Sequence, residues 1–155
     1  MSVGMWGWRR WLGRFADSRE RRRRHECVKR ALKLSPRGGC VDDALTVKHI
    51  STELRVEWYA RDVHPWDRDL PAHQRDELFL EQCRHDTLVA VQRLFDQLME
   101  IDVIEIRVFE PQPSARILLA GTVSRHDGTA MTTRSSRMRL KLMGIHGDTI
   151  SWPAT

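Results

Sequence analysis

Residues Ala72 to Glu110 read AHQRDELFLEQCRHDTLVAVQRLFDQLMEIDVIEIRVFE, and within them the spacing of apolar residues changes character. As far as Glu100, Leu80, Leu88, Val91, Phe95, Leu98 and Met99 recur at helical spacing and form one stripe, while Gln82, Arg93 and Gln97 point elsewhere. From Ile101 onward, branched residues crowd the short run IDVIEIRVFE, which is strand composition. A long amphipathic helix handing over to a strand implies an α layer packed on a β layer.

One residue interrupts the stripe. Arg84 projects onto the same side as Leu80, Leu88 and Val91, and a buried guanidinium without a partner is too costly to keep. Either the helix breaks near Asp86, whose carboxylate then caps a second helix, or Arg84 reaches an acid at the core edge. The break is the preferred reading.

On the N-terminal side, ELRVEWYA alternates Leu54, Val56, Trp58 and Ala60 with Glu53, Arg55, Glu57 and Tyr59, which predicts a strand with one buried face. ALTVKHI, Ala44 to Ile50, is its expected hairpin partner. On the C-terminal side, IDVIEIRVFE and RILLAGTVSR flank PQPSA and predict a hairpin with a proline-bearing loop. MRLKLMGIHGDTISW alternates again, with Met138, Leu140 and Leu142 opposite Arg137, Arg139 and Lys141. That predicts a strand, with His146-Gly147-Asp148 turning into a final one. Residues Asp127 to Ser136 read as a loop or short helix. The expected fold is α+β: a mostly antiparallel sheet of hairpins covered by one long helix, broken or continuous, and preceded by a basic amphipathic N-terminal helix.

Charge divides the chain. Residues 1–40 carry 12 Lys/Arg against 3 Asp/Glu, residues 41–124 carry 9 against 16, and residues 125–155 carry 5 against 2. The best-patterned region is therefore acidic and repels phosphate, so contact with a polyanion falls to the ends of the chain. The expected division is a basic arm and linker over residues 1–40, ending near SPRGG, and a single α+β domain over residues 41–155. Three cysteines, Cys27, Cys40 and Cys83, do not make a disulfide scaffold, and no apolar run reaches membrane-spanning length. Arginines interrupt the start where a secretory signal would need an apolar run. A cytoplasmic location, free or peripheral to a membrane, is the expectation.

The arm holds the leading candidate for function. Met5, Trp8, Trp11, Leu12 and Phe15 gather on one side of a helix, with Trp6 beside them, while Arg10 and Arg14 lie roughly opposite and Arg9 adds charge. The run Arg21, Arg22, Arg23 and Arg24 follows, and its mutual repulsion predicts an extended or solvated segment unless anions screen it. Aromatic rings backed by arginines suit an anionic membrane surface or a hydrophobic groove on a partner protein. Nucleic acid, with arginines on phosphates and tryptophans on bases, is a third partner class that the acidic body disfavours. The bland alternative is a helix folded back on its own domain.

The second candidate is the loop ARDVHPWDRDLP, Ala60 to Pro71. His64, Asp67 and Asp69, joined by hairpin acids such as Glu105, are the residues a metal-dependent nuclease or hydrolase would use. No zinc spacing, phosphate loop or nucleophile elbow accompanies them. The structural reading explains more: Pro65 and Pro71 stiffen the chain, Trp66 plugs the core, and the short acids cap turns or the next helix. Likewise Asp102, Glu105 and Arg107, with Glu53 and Glu57, fit ordinary cross-strand ion pairing. The sequence thus predicts a non-enzymatic docking or adaptor protein without a cofactor, with metal-dependent hydrolysis as the alternative.

Overall fold

The computed structural model describes residues 19–30, 46–111, 116–128 and 135–147. Residues 19–30 are helical (α1). They are followed by β1 (Thr46–Ile50), β2 (Glu53–Tyr59), a 3-10 turn (Pro65–Asp67) and α2 (Ala72–Gln97). Then come β3 (Val103–Phe109), β4 (Ile117–Ser124), a single helical turn α3 (Arg125–Gly128), α4 (Ser136–Leu142) and β5 (Ile145–Gly147). The architecture is α+β, and the five strands form one sheet in the order β1-β2-β3-β4-β5.

Three of the four strand pairings are antiparallel; β2 and β3 run parallel because the whole of α2 lies between them. Every second residue of the two parallel strands enters the core: Leu54, Val56 and Trp58 from β2, and Ile104, Ile106 and Val108 from β3. From α2 they meet Cys83, Ala90, Val91, Leu94 and Phe95. Burying each large aliphatic side chain is worth about 1.5–3 kcal/mol, so this face dominates stability. β4 contributes Val123 and the consecutive leucines Leu118 and Leu119, Leu118 being the residue skipped where Val108 pairs with Leu119 and Phe109 with Ile117.

α2 is continuous through Asp86, contrary to the expected break. Its reason is a partner supplied from outside the helix: Arg61 engages the Asp86 carboxylate, so the aspartate has no need of a backbone amide. Thr87 completes the local satisfaction by donating from Oγ1 to the Cys83 carbonyl at 2.7 Å. The apolar stripe is also shifted. Leu80 is only half-buried, and Met99 is 74% exposed because the helix has ended at Gln97.

Two further expectations are corrected. The arginine run is part of a helix rather than an extended segment, because Val28 is fully buried in the common core and Arg24 pairs with Glu20 one turn earlier and with Glu100. Segment MRLKL is helical, not a strand. Ser135 caps α4 by accepting from the Met138 amide, and Leu140 is the buried residue of the helix. β5 is the stretch Ile145 to Gly147 itself, reached through Gly144 at φ +83°, and it pairs with β4. The expected arm-to-domain boundary near residue 40 lies outside the described residues.

Candidate functional site

α1 is the described part of the basic arm. Seven of its twelve residues are Lys or Arg and two are Glu. Winding at about 100° per residue puts Arg19, Arg22, Arg23 and Arg30 on the side away from Val28. All four are exposed, as is Arg21, whereas Arg24 and Cys27 are half-buried. Arg24 is the member of the run that faces the body, bridging Glu20 at 3.0 Å and Glu100 at 3.8 Å. The helix is thereby mounted on the rest of the fold through Val28 and Cys27 and through the ion pair of Arg24 with Glu100, and Arg19, Arg22, Arg23 and Arg30 are presented outward. The other arm candidates, Trp6, Trp8, Arg9, Arg10, Trp11, Leu12, Arg14 and Phe15, lie outside the described residues.

The loop from Ala60 to Pro71 leaves the C-terminal end of β2 and crosses to the start of α2. Arg61 fixes it: Nε donates to Asp86 Oδ2 at 2.6 Å and Nη2 to Oδ1 at 3.1 Å, a two-point fork on a side chain only 11% exposed. Gln82 adds donations toward the Arg61 and Asp62 carbonyls at 3.5 Å. Pro65 opens the 3-10 turn and Pro71 precedes α2, with no side-chain cap on that helix. The expected capping of α2 by loop acids is therefore corrected, since Pro71 supplies no such bond and accepts from Gln74 and Arg75 through its carbonyl.

Trp66 is the larger correction. It is 83% exposed rather than a core plug, lying against the His64 ring at 6.0 Å and 18°. Trp58, on the buried face of β2, is by contrast only 4% exposed. His64 accepts from the Trp66 amide through Nδ1, and Asp62 accepts from the Val63 amide. Asp67 is half-buried and Asp69 exposed. Among the described residues, no group of three His, Cys, Asp or Glu side chains could hold a metal ion.

Glu105 belongs to a different surface, the face of the sheet turned away from α2. The parallel register sets Arg55 beside Glu105 and Glu57 beside Arg107. Arg55 meets Glu105 at 2.6 Å, and Arg107 bridges Glu105 at 3.1 Å and Glu57 at 3.3 Å. The hairpin acids are thus held in an alternating ionic row. Its other end is aromatic, where Tyr59 and Phe109 approach at 5.6 Å between ring centres.

Two structural residues escaped the sequence reading. Arg61 is one, the partner of Asp86 in place of the expected cap, and the pairing spans 25 positions with no local signature. Arg125 is the other. Its guanidinium donates to the carbonyls of Phe95 (2.9 Å), Leu98 (2.8 Å) and Ile101, and lies 4.9 Å from the Phe95 ring centre. It closes the C-terminal end of α2, where carbonyls lack helical partners and a cation is favoured.

These features define an α+β fold with an arginine-faced helix whose Val28 is part of the common core. No family model, curated protein or solved structure matches the chain. No helix among the described residues is long and apolar enough to cross a membrane.

Proposed function

We propose that this protein is a non-enzymatic docking module that attaches to an anionic lipid surface through α1 and the tryptophan-bearing segment preceding it in sequence. The observation carrying this reading is the mounting of α1: Val28 is fully buried, while Arg19, Arg22, Arg23 and Arg30 are exposed on the other side. A cation held on a packed helix meets a charged surface with less entropy left to lose than one on a free tail. Each arginine near an anionic bilayer adds about 1 kcal/mol. Trp6, Trp8, Trp11, Leu12 and Phe15 would supply the apolar insertion that charge alone lacks.

Metal-dependent hydrolysis through His64, Asp67, Asp69 and Glu105 draws no comparable support. Glu105 is engaged by two arginines on the sheet face, and the other three lie in the loop after β2.

Vesicle flotation tests the proposal. The full chain floats with phosphatidylglycerol-containing vesicles and not with phosphatidylcholine vesicles, and raised salt weakens the association. Arg22→Glu with Arg23→Glu abolishes flotation while circular dichroism is unchanged. Equal flotation with neutral vesicles, or full retention by the double variant, refutes it. A chain that ignores vesicles yet is retained on an acidic protein, in an arginine-dependent way, replaces lipid by protein as the occupant.

A further inference from the structure

A separate cleft, sharing no residue with α1, lies between α2, α4 and β5 and has a volume of about 300 Å³. Its walls are cationic and its floor is apolar. Arg84 enters from α2, Arg137 and Lys141 from α4, and His146 from β5, above the buried side chains of Leu140 and Ile145. The elements that make it are fixed relative to one another: Ser136 at the start of α4 donates to Glu81 of α2 at 2.5 Å, and the same carboxylate meets Arg84 at 3.3 Å. Glu81 therefore orients Arg84 as well as joining the two helices. Arg137, Lys141 and His146 are exposed, so solvent reaches the charged walls.

Two exposed cations, Arg137 and Lys141, with Arg84 held beside them by its pair with Glu81, surround an apolar floor and favour a ligand with a compact, multiply charged head and an apolar body. A carboxylate brings one negative charge, whereas a phosphate monoester near neutrality approaches two and offers three oxygens to the forked donors of arginine. The cleft volume is at the small end of the range for small-molecule sites. We propose that this cleft binds a small phosphate monoester whose organic part is apolar, the phosphate held by Arg84, Arg137 and Lys141 and the organic part resting on Leu140 and Ile145.

Phenyl phosphate, benzoate and inorganic phosphate are the probes, titrated into the full chain while amide chemical shifts are followed. Phenyl phosphate is expected to bind most tightly and to shift the amides of Arg84, Leu140, Lys141 and His146. Inorganic phosphate lacks the apolar body and benzoate the second charge, so each binds more weakly by about tenfold or more. Arg137→Gln and Lys141→Gln, both at exposed positions, weaken phenyl phosphate binding by about tenfold each, within the range for charge-assisted hydrogen bonds. Arg139→Gln removes the same charge from the same helix outside the cleft and leaves affinity unchanged. The proposal is overturned if phenyl phosphate produces no saturable shifts, if its shifts fall elsewhere, if benzoate or phosphate matches it, or if Arg139→Gln weakens binding as much as the two cleft variants do.

Discussion

Replacing Arg61 by Met removes both donors from the Asp86 carboxylate, which accepts from Arg61 at 2.6 and 3.1 Å and is 11% exposed. Breaking a fully buried pair from one side costs about 3–5 kcal/mol, and an exposed pair is worth about 0–1 kcal/mol. Arg61 is itself 31% exposed, so water takes over part of its role once it is gone. The expected loss is about 2–3 kcal/mol, between those limits. Asp86→Ala is expected to cost less, about 1–2 kcal/mol, because the orphaned guanidinium sits on a long stem that can turn to solvent. The two changes should not add: once Arg61 is gone, removing the stranded carboxylate relieves a penalty, so the double variant is no less stable than Arg61→Met alone. Urea denaturation followed by far-ultraviolet circular dichroism measures all three. Amide exchange in residues 62–70 should accelerate in both single variants, since the fork ties that loop to α2. A loss below about 0.5 kcal/mol for Arg61→Met, or strict additivity, would show that the pair is an ordinary surface contact and that the loop is held by something else.

Arg125→Lys should cost nearly as much as Arg125→Ala, about 2–4 kcal/mol by urea titration, because one ammonium cannot replace a guanidinium spread over three carbonyls; full rescue by lysine would refute this. Gly121→Ala should lose about 1–3 kcal/mol, since its added carbon would stand 2.2 Å from the Gly144 carbonyl oxygen and 2.6 Å from Ile145 Cα, both backbone atoms of the turn into β5. The Ser136 hydroxyl, followed by the Arg84 guanidinium, holds the Glu81 carboxyl below its usual range despite the opposing effect of burial. A lowered carboxyl pKa gives stability that is complete above the unfolded-state value and lost as pH falls through the folded-state one. Glu81→Gln is therefore less stable than the parent at neutral pH, and thermal melts should converge as the solution is acidified. Trp66→Ser should change stability by no more than about 0.5 kcal/mol, because the ring is 83% exposed; a larger loss in thermal melts would return Trp66 to the core.

Period and composition were enough to make the α+β class, the strand of Leu54, Val56 and Trp58, and the β3–β4 hairpin legible, since each rests on a burial pattern that repeats within ten residues or fewer. MRLKL failed the same test because five alternating residues of high helix propensity satisfy both periods, and the Ser135 cap decides the outcome. The exposure of Arg21, Arg22 and Arg23 fits the solvated alternative, but the helical state of the run was not legible, because beside the local Glu20 pair it rests on Val28 burial and on Glu100, which are distant contacts. The candidate site was legible only as an excess of arginine. Its outward presentation on α1 and the cleft walled by Arg84, Arg137, Lys141 and His146 were not. Amino-acid order by itself determined which segments have an apolar side, because that depends on neighbours a few bonds away. Tertiary structure alone decided that Asp86 stays within an unbroken helix, that Trp66 faces water and that cations from α2, α4 and β5 share one cleft, because the partners that settle their free energies are remote along the chain and adjacent only after folding.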